Sequence, residues 1–356
     1  MAEVRAIGIG KSYGGAEALS ELTLTIPDHE FFVIFGPSGA GKSTLLKLVA
    51  GIVEPEEGEL RIGGASMKDV PTHKRNVAMA FESYALYPHL SVRRNLEFPL
   101  KAPGRNLTAA ERATRVARVA ELLEIDALLE RRPSQLSGGQ RQRVSLGRAL
   151  VRRAAVTLLD EPLAHLDARL RHALRSELKH YQREEGATTI YTTPDYVEAF
   201  GIADRLAVLI DGCVQQVGTP EEVYGAPANL HVAGLVGDPK MNLIPVAESR
   251  RLVFDDQSVT LPDMPRLRAP SLGYVGIRAT DIDLSTSPLD GAIDGRVYVA
   301  EPTGANQVVR VEVAGELLTA TIPLRGTPLG IGQQVWLAPQ WERVHAFASD
   351  GTRIGS

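Results

Sequence analysis

Hydrophobic and polar positions change rhythm twice along this chain, and the three stretches so marked predict different architectures. Near the start, Glu21-Leu22-Thr23-Leu24-Thr25-Ile26-Pro27 alternates with period two, as a strand with one buried face does. Phe31-Phe32-Val33-Ile34-Phe35 is continuously apolar and runs into glycine, which predicts a strand buried on both faces. A helix is expected to open soon after it, over Lys42 to Val49. Two further apolar runs, Val156-Thr157-Leu158-Leu159 and Thr188-Thr189-Ile190-Tyr191, flank a helical stretch from Arg169 to Glu184. Strands separated by helices in this way predict a largely parallel sheet.

Between about Ser91 and Val151 the pattern is helical, and Ala109 to Leu129 sets apolar residues at three- and four-residue spacing against an Arg/Glu face. That reads as a surface helix packed on the body. After Gly237 the rhythm shortens again: Arg251-Leu252-Val253-Phe254, Tyr274-Val275-Gly276-Ile277, Gln307 to Val313 and Gln334-Val335-Trp336-Leu337 are separated by Pro, Gly and Asp turns. These predict a separate small all-β domain, a barrel.

With 356 residues, 44% hydrophobic and 23% charged, the chain has the length and composition for one large globular domain and a smaller one. A net charge of −4 leaves no global footprint for nucleic acid. The arginines from Arg131 to Arg153 read as a solvated or nucleotide-facing helix face. One cysteine, Cys213, excludes an internal disulfide and fits a reducing cytosol, with packing as its expected role. Met1-Ala2-Glu3-Val4-Arg5 lacks a signal-peptide profile, and no apolar run reaches the roughly 18 residues of a spanning helix.

The chemistry concentrates in two places. Gly36-Pro37-Ser38-Gly39-Ala40-Gly41-Lys42-Ser43-Thr44 fits the phosphate-loop pattern, and a strand before it and a helix after it supply the required context. Its glycines let successive N–H groups converge on phosphate oxygens, and Lys42 is placed to reach the β- and γ-phosphates while the Ser43 hydroxyl is expected to ligate Mg²⁺. Leu158-Leu159-Asp160-Glu161 ends an apolar strand in two carboxylates, of which Asp160 is placed for Mg²⁺ and Glu161 to polarise an attacking water. Leu136-Ser137-Gly138-Gly139-Gln140 lies between the two, and by itself reads as a flexible turn.

Taken in order, these three motifs resemble those of the ABC transporter ATPases. The continuation Gln140-Arg141-Gln142-Arg143-Val144-Ser145-Leu146-Gly147-Arg148-Ala149-Leu150 strengthens the match. Pro71 to Met79, Ser83-Tyr84-Ala85-Leu86-Tyr87-Pro88-His89 and Gln215 to Tyr224 are similar to the maltose-type group of bacterial carbohydrate importers, as are Pro227-Ala228-Asn229 and Gly276-Ile277-Arg278. The resemblance covers essentially the whole chain. It implies an α/β fold: an ATP-binding domain over 1–236 with an inserted helical subdomain at about 84–154, then an oligonucleotide/oligosaccharide-fold-like regulatory barrel over 237–356. It also implies that Tyr13 stacks on adenine, and that Ser137, Gly138, Gly139 and Gln140 close over ATP held by a second cassette. The segment Glu82 to Val92 is then the contact with one of two transmembrane permease subunits. A periplasmic or lipid-anchored solute-binding protein completes such a system, and the chain sits on the cytoplasmic face of the inner membrane.

Two positions depart from the family. Glu82 stands where glutamine is usual; it keeps an oxygen for Mg²⁺, but adds negative charge near the γ-phosphate and loses an amide donor. Pro194 stands where the γ-phosphate-sensing histidine is expected and offers no side-chain donor or acceptor. Its local reading is a helix start, with Thr193 as N-cap and Pro194 at the first helical position. Smaller departures are Ala164-His165-Leu166-Asp167 and Tyr196; His165 belongs to the dimer-contact loop and is not expected to replace the missing histidine. The leading expectation is an importer ATPase subunit whose own site is impaired and whose signature serves a different, histidine-containing partner. A slowly hydrolysing homodimer and a non-transport ATP-sensing protein are the alternatives.

Overall fold

A computed structural model describes residues 2–102, 106–247, 250–254, 257–324 and 328–355. Its contacts divide the chain into two compact units, 1–220 and 221–356. The expected boundary between 236 and 237 falls somewhat later than this division.

In the first unit, β1 (Val4–Tyr13) and β2 (Ala16–Ile26) form an antiparallel hairpin. Gly14 and Gly15 turn it with φ of 57° and 89°, backbone that glycine adopts without strain. The alternating run seen in the sequence is the second half of β2, whose Leu22, Leu24 and Ile26 are buried. Next come β3 (Phe31–Phe35), α1 (Lys42–Ala50), β4 (Glu57–Ile62), β5 (Ala65–Ser66) and β6 (Val77–Ala80). Three helices follow before the chain returns to the sheet: α2 (Val92–Glu97), α3 (Ala109–Leu122) and α4 (Gly138–Leu150). The unit closes with β7 (Val156–Asp160), α5 (Ala168–Glu185), β8 (Thr188–Thr193), α6 (Tyr196–Ile202), β9 (Arg205–Ile210) and β10 (Cys213–Gly218).

Six of these strands form one sheet in the order β10-β9-β3-β8-β7-β6. All pairs except β9 with β10 are parallel, so the expected sheet with helical crossovers is present. Every residue of β3, β7 and β8 is buried, which explains their continuous apolar and threonine-rich sequences. β1, β2, β4 and β5 make a second sheet, and its inward face shares a core with α1 and the parallel sheet. Cys213 begins β10 half-buried, its Sγ 3.9 Å from the Ser20 carbonyl.

Two expectations need correction. The helix read over Ala109 to Leu129 ends at Leu122, because Glu124 turns left-handed at φ 51° and the Ile125 N–H closes back on the Ala120 carbonyl. Leu128 continues the apolar rhythm from a separate 3₁₀ turn, Asp126–Leu128, and is buried there. The helix after β8 is capped by Asp195, whose carboxylate accepts from the Glu198 N–H at 2.9 Å, and not by Thr193. Thr193 Oγ1 accepts from the Asp195 N–H at 3.0 Å and donates to the buried Glu198 carboxylate. Pro194 therefore precedes the helix, exposed to solvent.

The second unit begins with two short helices, α7 (Pro220–Gly225, whose first residue closes unit one) and α8 (Leu230–Leu235). Its strands are β11 (Asn242–Ala247), β12 (Arg251–Phe254), β13 (Gln257–Thr260), β14 (Leu272–Ile277), β15 (Ile282–Ser285) and β16 (Ile293–Thr303), then β17 (Asn306–Val313), β18 (Glu316–Pro323), β19 (Gln334–Pro339) and β20 (His345–Ala348). They pair antiparallel as two five-stranded sheets, β13-β12-β11-β14-β20 and β15-β19-β16-β17-β18. Both sheets bury residues in one core that includes Ile244, Val275, Val297, Val309, Val311 and Leu337. Each alternating run in the sequence lies within one of these strands.

Candidate functional site

The site is built where β3 and β7 end. β3 delivers the chain into Gly36 to Gly41, and backbone constraints explain two of its glycines. A Cβ at Gly36 would run into the Leu209 carbonyl, and one at Gly41 into the Ala18 carbonyl; Gly41 also sits at φ 98°. Gly39 is left-handed at φ 85°. Pro37 is half-buried, Ser38 exposed and Ala40 buried, with the Ala40 N–H donating to the Pro37 carbonyl at 3.2 Å. α1 then starts at Lys42 with no side-chain cap, so the positive end of the helix and its first N–H groups are left to an anionic group. Thr44, half-buried, occupies the first turn.

Lys42 is 4% exposed, and its ammonium donates to the carbonyls of Gly36 and Pro37 at 3.0 and 2.9 Å. It lies 3.4 Å from Glu161 Oε1. Ser43 Oγ donates to Asp160 Oδ1 at 2.8 Å. Four expected site residues, two from the loop and two from the acidic strand, are thus in direct contact. Oxygen donors of this kind, a hydroxyl and a carboxylate beside a phosphate site, suit a hard divalent cation. Among the described residues no group of three or more His, Cys, Asp or Glu side chains is placed to hold a metal ion.

Glu161 carries an unusual backbone. Its φ is 44°, a left-handed conformation costing a non-glycine residue about 1–2 kcal/mol. Both backbone groups are held: the N–H donates to Thr192 Oγ1 at 3.1 Å, and the carbonyl accepts from Gln142 Nε2 at 3.1 Å. Gln142, 3% exposed on α4, also accepts the His165 N–H through Oε1 at 3.0 Å. Neither Gln142 nor Thr192 stands out in the sequence. One lies inside a run read for its similarity alone, the other inside a buried strand.

Ser137 is the N-cap of α4, so the expected flexible turn is an ordered helix start. Its Oγ accepts from the Gln140 N–H at 3.3 Å, and the Gln140 side chain accepts the Ser137 N–H at 2.9 Å. The Ser137 hydroxyl proton stays available to donate. Gly138 and Gly139 form the first turn, and a Cβ at Gly139 would come within 3.0 Å of Leu166, so this glycine lets α4 approach the loop after the acidic strand. His165 sits in that loop, exposed, with its ring edge-on to Tyr84 at 5.8 Å. Tyr13 is 46% exposed with the Lys11 ammonium 5.5 Å from its ring centre. Glu82 is exposed in the turn after β6. Among the described residues, no hydrogen bond or ion pair joins Tyr13, Glu82, Pro194 or Ser137 to the Lys42–Ser43–Asp160–Glu161 cluster.

A parallel sheet that feeds a glycine loop into a helix, with an acidic pair on the neighbouring strand end, defines a phosphate-loop nucleotide hydrolase. The ABC transporter family profile matches residues 19–164, and the TOBE domain profile matches 288–346. The chain is 41% identical to the sn-glycerol-3-phosphate import ATP-binding protein UgpC 1 of Rhizobium johnstonii, over 99% of this chain and 96% of that one. It is 44% identical to the trehalose/maltose import ATP-binding protein MalK of Thermococcus litoralis, over 88% and 89% of the two chains. It is 41% identical to the sulfoquinovosyl glycerol transport ATP-binding protein SmoE of Agrobacterium fabrum, over 98% of each. A dimeric ATP-binding cassette, MJ0796, solved with ADP and phosphate after hydrolysis, aligns with a TM-score of 0.57 and 31% identity over 61% of this chain and 98% of its own. The chain belongs to the ABC transporter family, and is an ABC-type ATPase with an ATP-binding unit and a C-terminal all-β domain.

Proposed function

We propose that this chain energises import of a sugar, polyol or glycerol-phosphate-like solute as the ATP-binding subunit of an ABC importer. The observation that carries this is the near full-length similarity to relatives named for such import, spanning both units. ATP acts here as its Mg²⁺ complex, with Ser43 and Asp160 as the protein's oxygen ligands and Glu82 as a further candidate. The nucleotide work belongs to residues 1–236, and 237–356 form the regulatory-type domain. Two transmembrane permease subunits receive the chain on the cytoplasmic face of the inner membrane, and a periplasmic or lipid-anchored binding protein delivers the solute. Among the described residues no helix is long and apolar enough to cross a membrane.

A cavity of about 500 Å³ supports the permease contact, lined in part by Met79, Tyr87, Phe98, Pro99 and Arg148. Phe98 is 50% exposed with its ring 4.4 Å from that of Tyr87, an apolar surface that a short partner helix buries. Asn95 holds the preceding turn in shape, donating to the carbonyls of Tyr87, Leu90 and Ser91 and accepting the Tyr87 N–H. Co-purification with the co-encoded permeases tests the reading. Leu86→Asp and Phe98→Asp are each expected to release the permeases from a folded ATPase, and unchanged co-purification of both counts against it.

The asymmetric pairing rests on Pro194, which is exposed beside the acidic strand with no group to contact a γ-phosphate, and on the exposed carboxylate at Glu82. In this reading the chain's own site turns over weakly, while Ser137, Gly138, Gly139 and Gln140 complete the site of a different ATPase chain. A homodimer that hydrolyses slowly is the second reading, favoured by the assembled Lys42–Ser43–Asp160–Glu161 cluster. Counting distinct ATPase chains in the purified complex separates the two.

A further inference from the structure

We propose that Thr192 is a positioning residue for the cation–nucleotide site, orienting the Asp160 carboxylate and fixing the Glu161 backbone through one hydroxyl. The parallel register pairs Asp160 with Thr192, which sets the two side chains on the same face of the sheet. Thr192 is fully buried, and its Oγ1 lies 2.9 Å from Asp160 Oδ1 but 3.5 Å from the Leu159 carbonyl, so its proton goes to the carboxylate. A lone pair of the same oxygen accepts the Glu161 N–H at 3.1 Å. Asp160 Oδ1 thus receives two hydroxyl protons, from Ser43 on α1 and Thr192 on β8, which locks the rotation of the carboxylate. A buried threonine that only satisfied its own hydroxyl would need one of these contacts; this one ties both acidic residues of the site to a single atom. The strand that runs into Pro194 therefore still serves the site, two residues before that proline. The inference rests on the Mg²⁺–ATP reading above and on neither form of pairing.

The test uses the full chain with ATP, and Mn²⁺ as the cation. Electron paramagnetic resonance gives Mn²⁺ affinity in the ATP complex, and calorimetry in chelator gives ATP affinity without metal. Thr192→Val keeps the shape and removes the hydroxyl. It is expected to weaken Mn²⁺ binding about 10- to 100-fold, the usual effect of removing a partner that orients a ligand. Metal-free ATP affinity should stay within about twofold, since Thr192 orients ligands of the cation, and Thr192→Ser should recover Mn²⁺ affinity. Unchanged Mn²⁺ affinity in Thr192→Val, or a Thr192→Ser protein as defective as Thr192→Val, overturns the proposal. The wild-type Glu161 amide is also expected to exchange slowly with solvent deuterium, and exchange at the rate of an open loop overturns the proposal without any variant. A wild-type chain that binds ATP but no Mn²⁺ overturns the Mg²⁺ reading as well, so the two failures are distinct.

Discussion

The Lys42 ammonium lies 3.4 Å from Glu161 Oε1, so the cation proposed for ATP phosphates and the carboxylate proposed for water share one ion pair. Phosphate oxygens that take the ammonium compete with that carboxylate. Glu161→Gln is therefore expected to bind ATP as tightly as wild type or a few-fold more tightly. Lys42→Ala removes the only formal positive charge in the assembled cluster and is expected to lower ATP affinity at least about tenfold, the scale of a lost charge-assisted contact. Titration calorimetry on the purified chain reads both.

Asymmetry predicts opposite responses in the assembled transporter. Glu161→Gln is expected to reduce steady-state phosphate release only modestly. On that proposal Ser137→Arg would fill the space over a partner's γ-phosphate, and it is expected to lower phosphate release about 10²-fold or more. Pro194→His combined with Glu82→Gln is expected to raise turnover. A Glu161→Gln complex as inactive as Ser137→Arg places the working site in this chain and ends the asymmetric reading.

Arg75 ties several backbone carbonyls together. It is 4% exposed, and its guanidinium donates to the carbonyls of Val70, Leu48 and Met67 and pairs with Glu54 at 2.9 Å. It thereby joins the end of α1 to the loop before β6. Lysine cannot reproduce the fork, and stranding buried carbonyls costs about 1–3 kcal/mol each. Arg75→Lys is expected to destabilise the chain by about 3 kcal/mol on that scale, measured by denaturant unfolding followed by circular dichroism.

His345 predicts a pH dependence of the second unit. Burial, and then the nearby Arg278, Arg353 and Arg266, push its pKa down from 6.5 to about 4. The folded unit therefore holds the neutral ring, while the unfolded chain takes up a proton below the ordinary histidine pKa. Stability is unaffected by this group above pH 6.5 and falls as pH drops from there toward 4, by up to about 1.4 kcal/mol per pH unit. Both tryptophans, Trp336 and Trp341, lie in this unit, so their fluorescence reports its unfolding. His345→Gln is expected to flatten the wild-type slope between pH 6.5 and 4 by up to one proton.

The sequence by itself determined the elements whose signals are local. Phe31–Phe35 followed by the glycine loop and Lys42, the apolar strand ending at Asp160, and the alternating strands after Gly237 were legible because each is a short run with its own period or turn chemistry. The candidate loop and acidic residues were legible for the same reason. Helix ends were less so: Leu128 keeps the apolar spacing of α3 although the chain has already turned at Glu124, because burial, not helix continuity, selects an apolar side chain there. Asp195 takes the cap through its own carboxylate, which accepts the Glu198 N–H, while the Thr193 hydroxyl accepts the Asp195 N–H and donates to buried Glu198. Only the tertiary structure decided how Glu161 is held. Gln142 reaches it from 19 residues away on α4 and Thr192 from 31 residues away on β8, so both contacts depend on how helical crossovers bring distant strand ends together. Side-chain alternation dictates which face a residue takes within its own strand, but register between strands fixes which atom it meets.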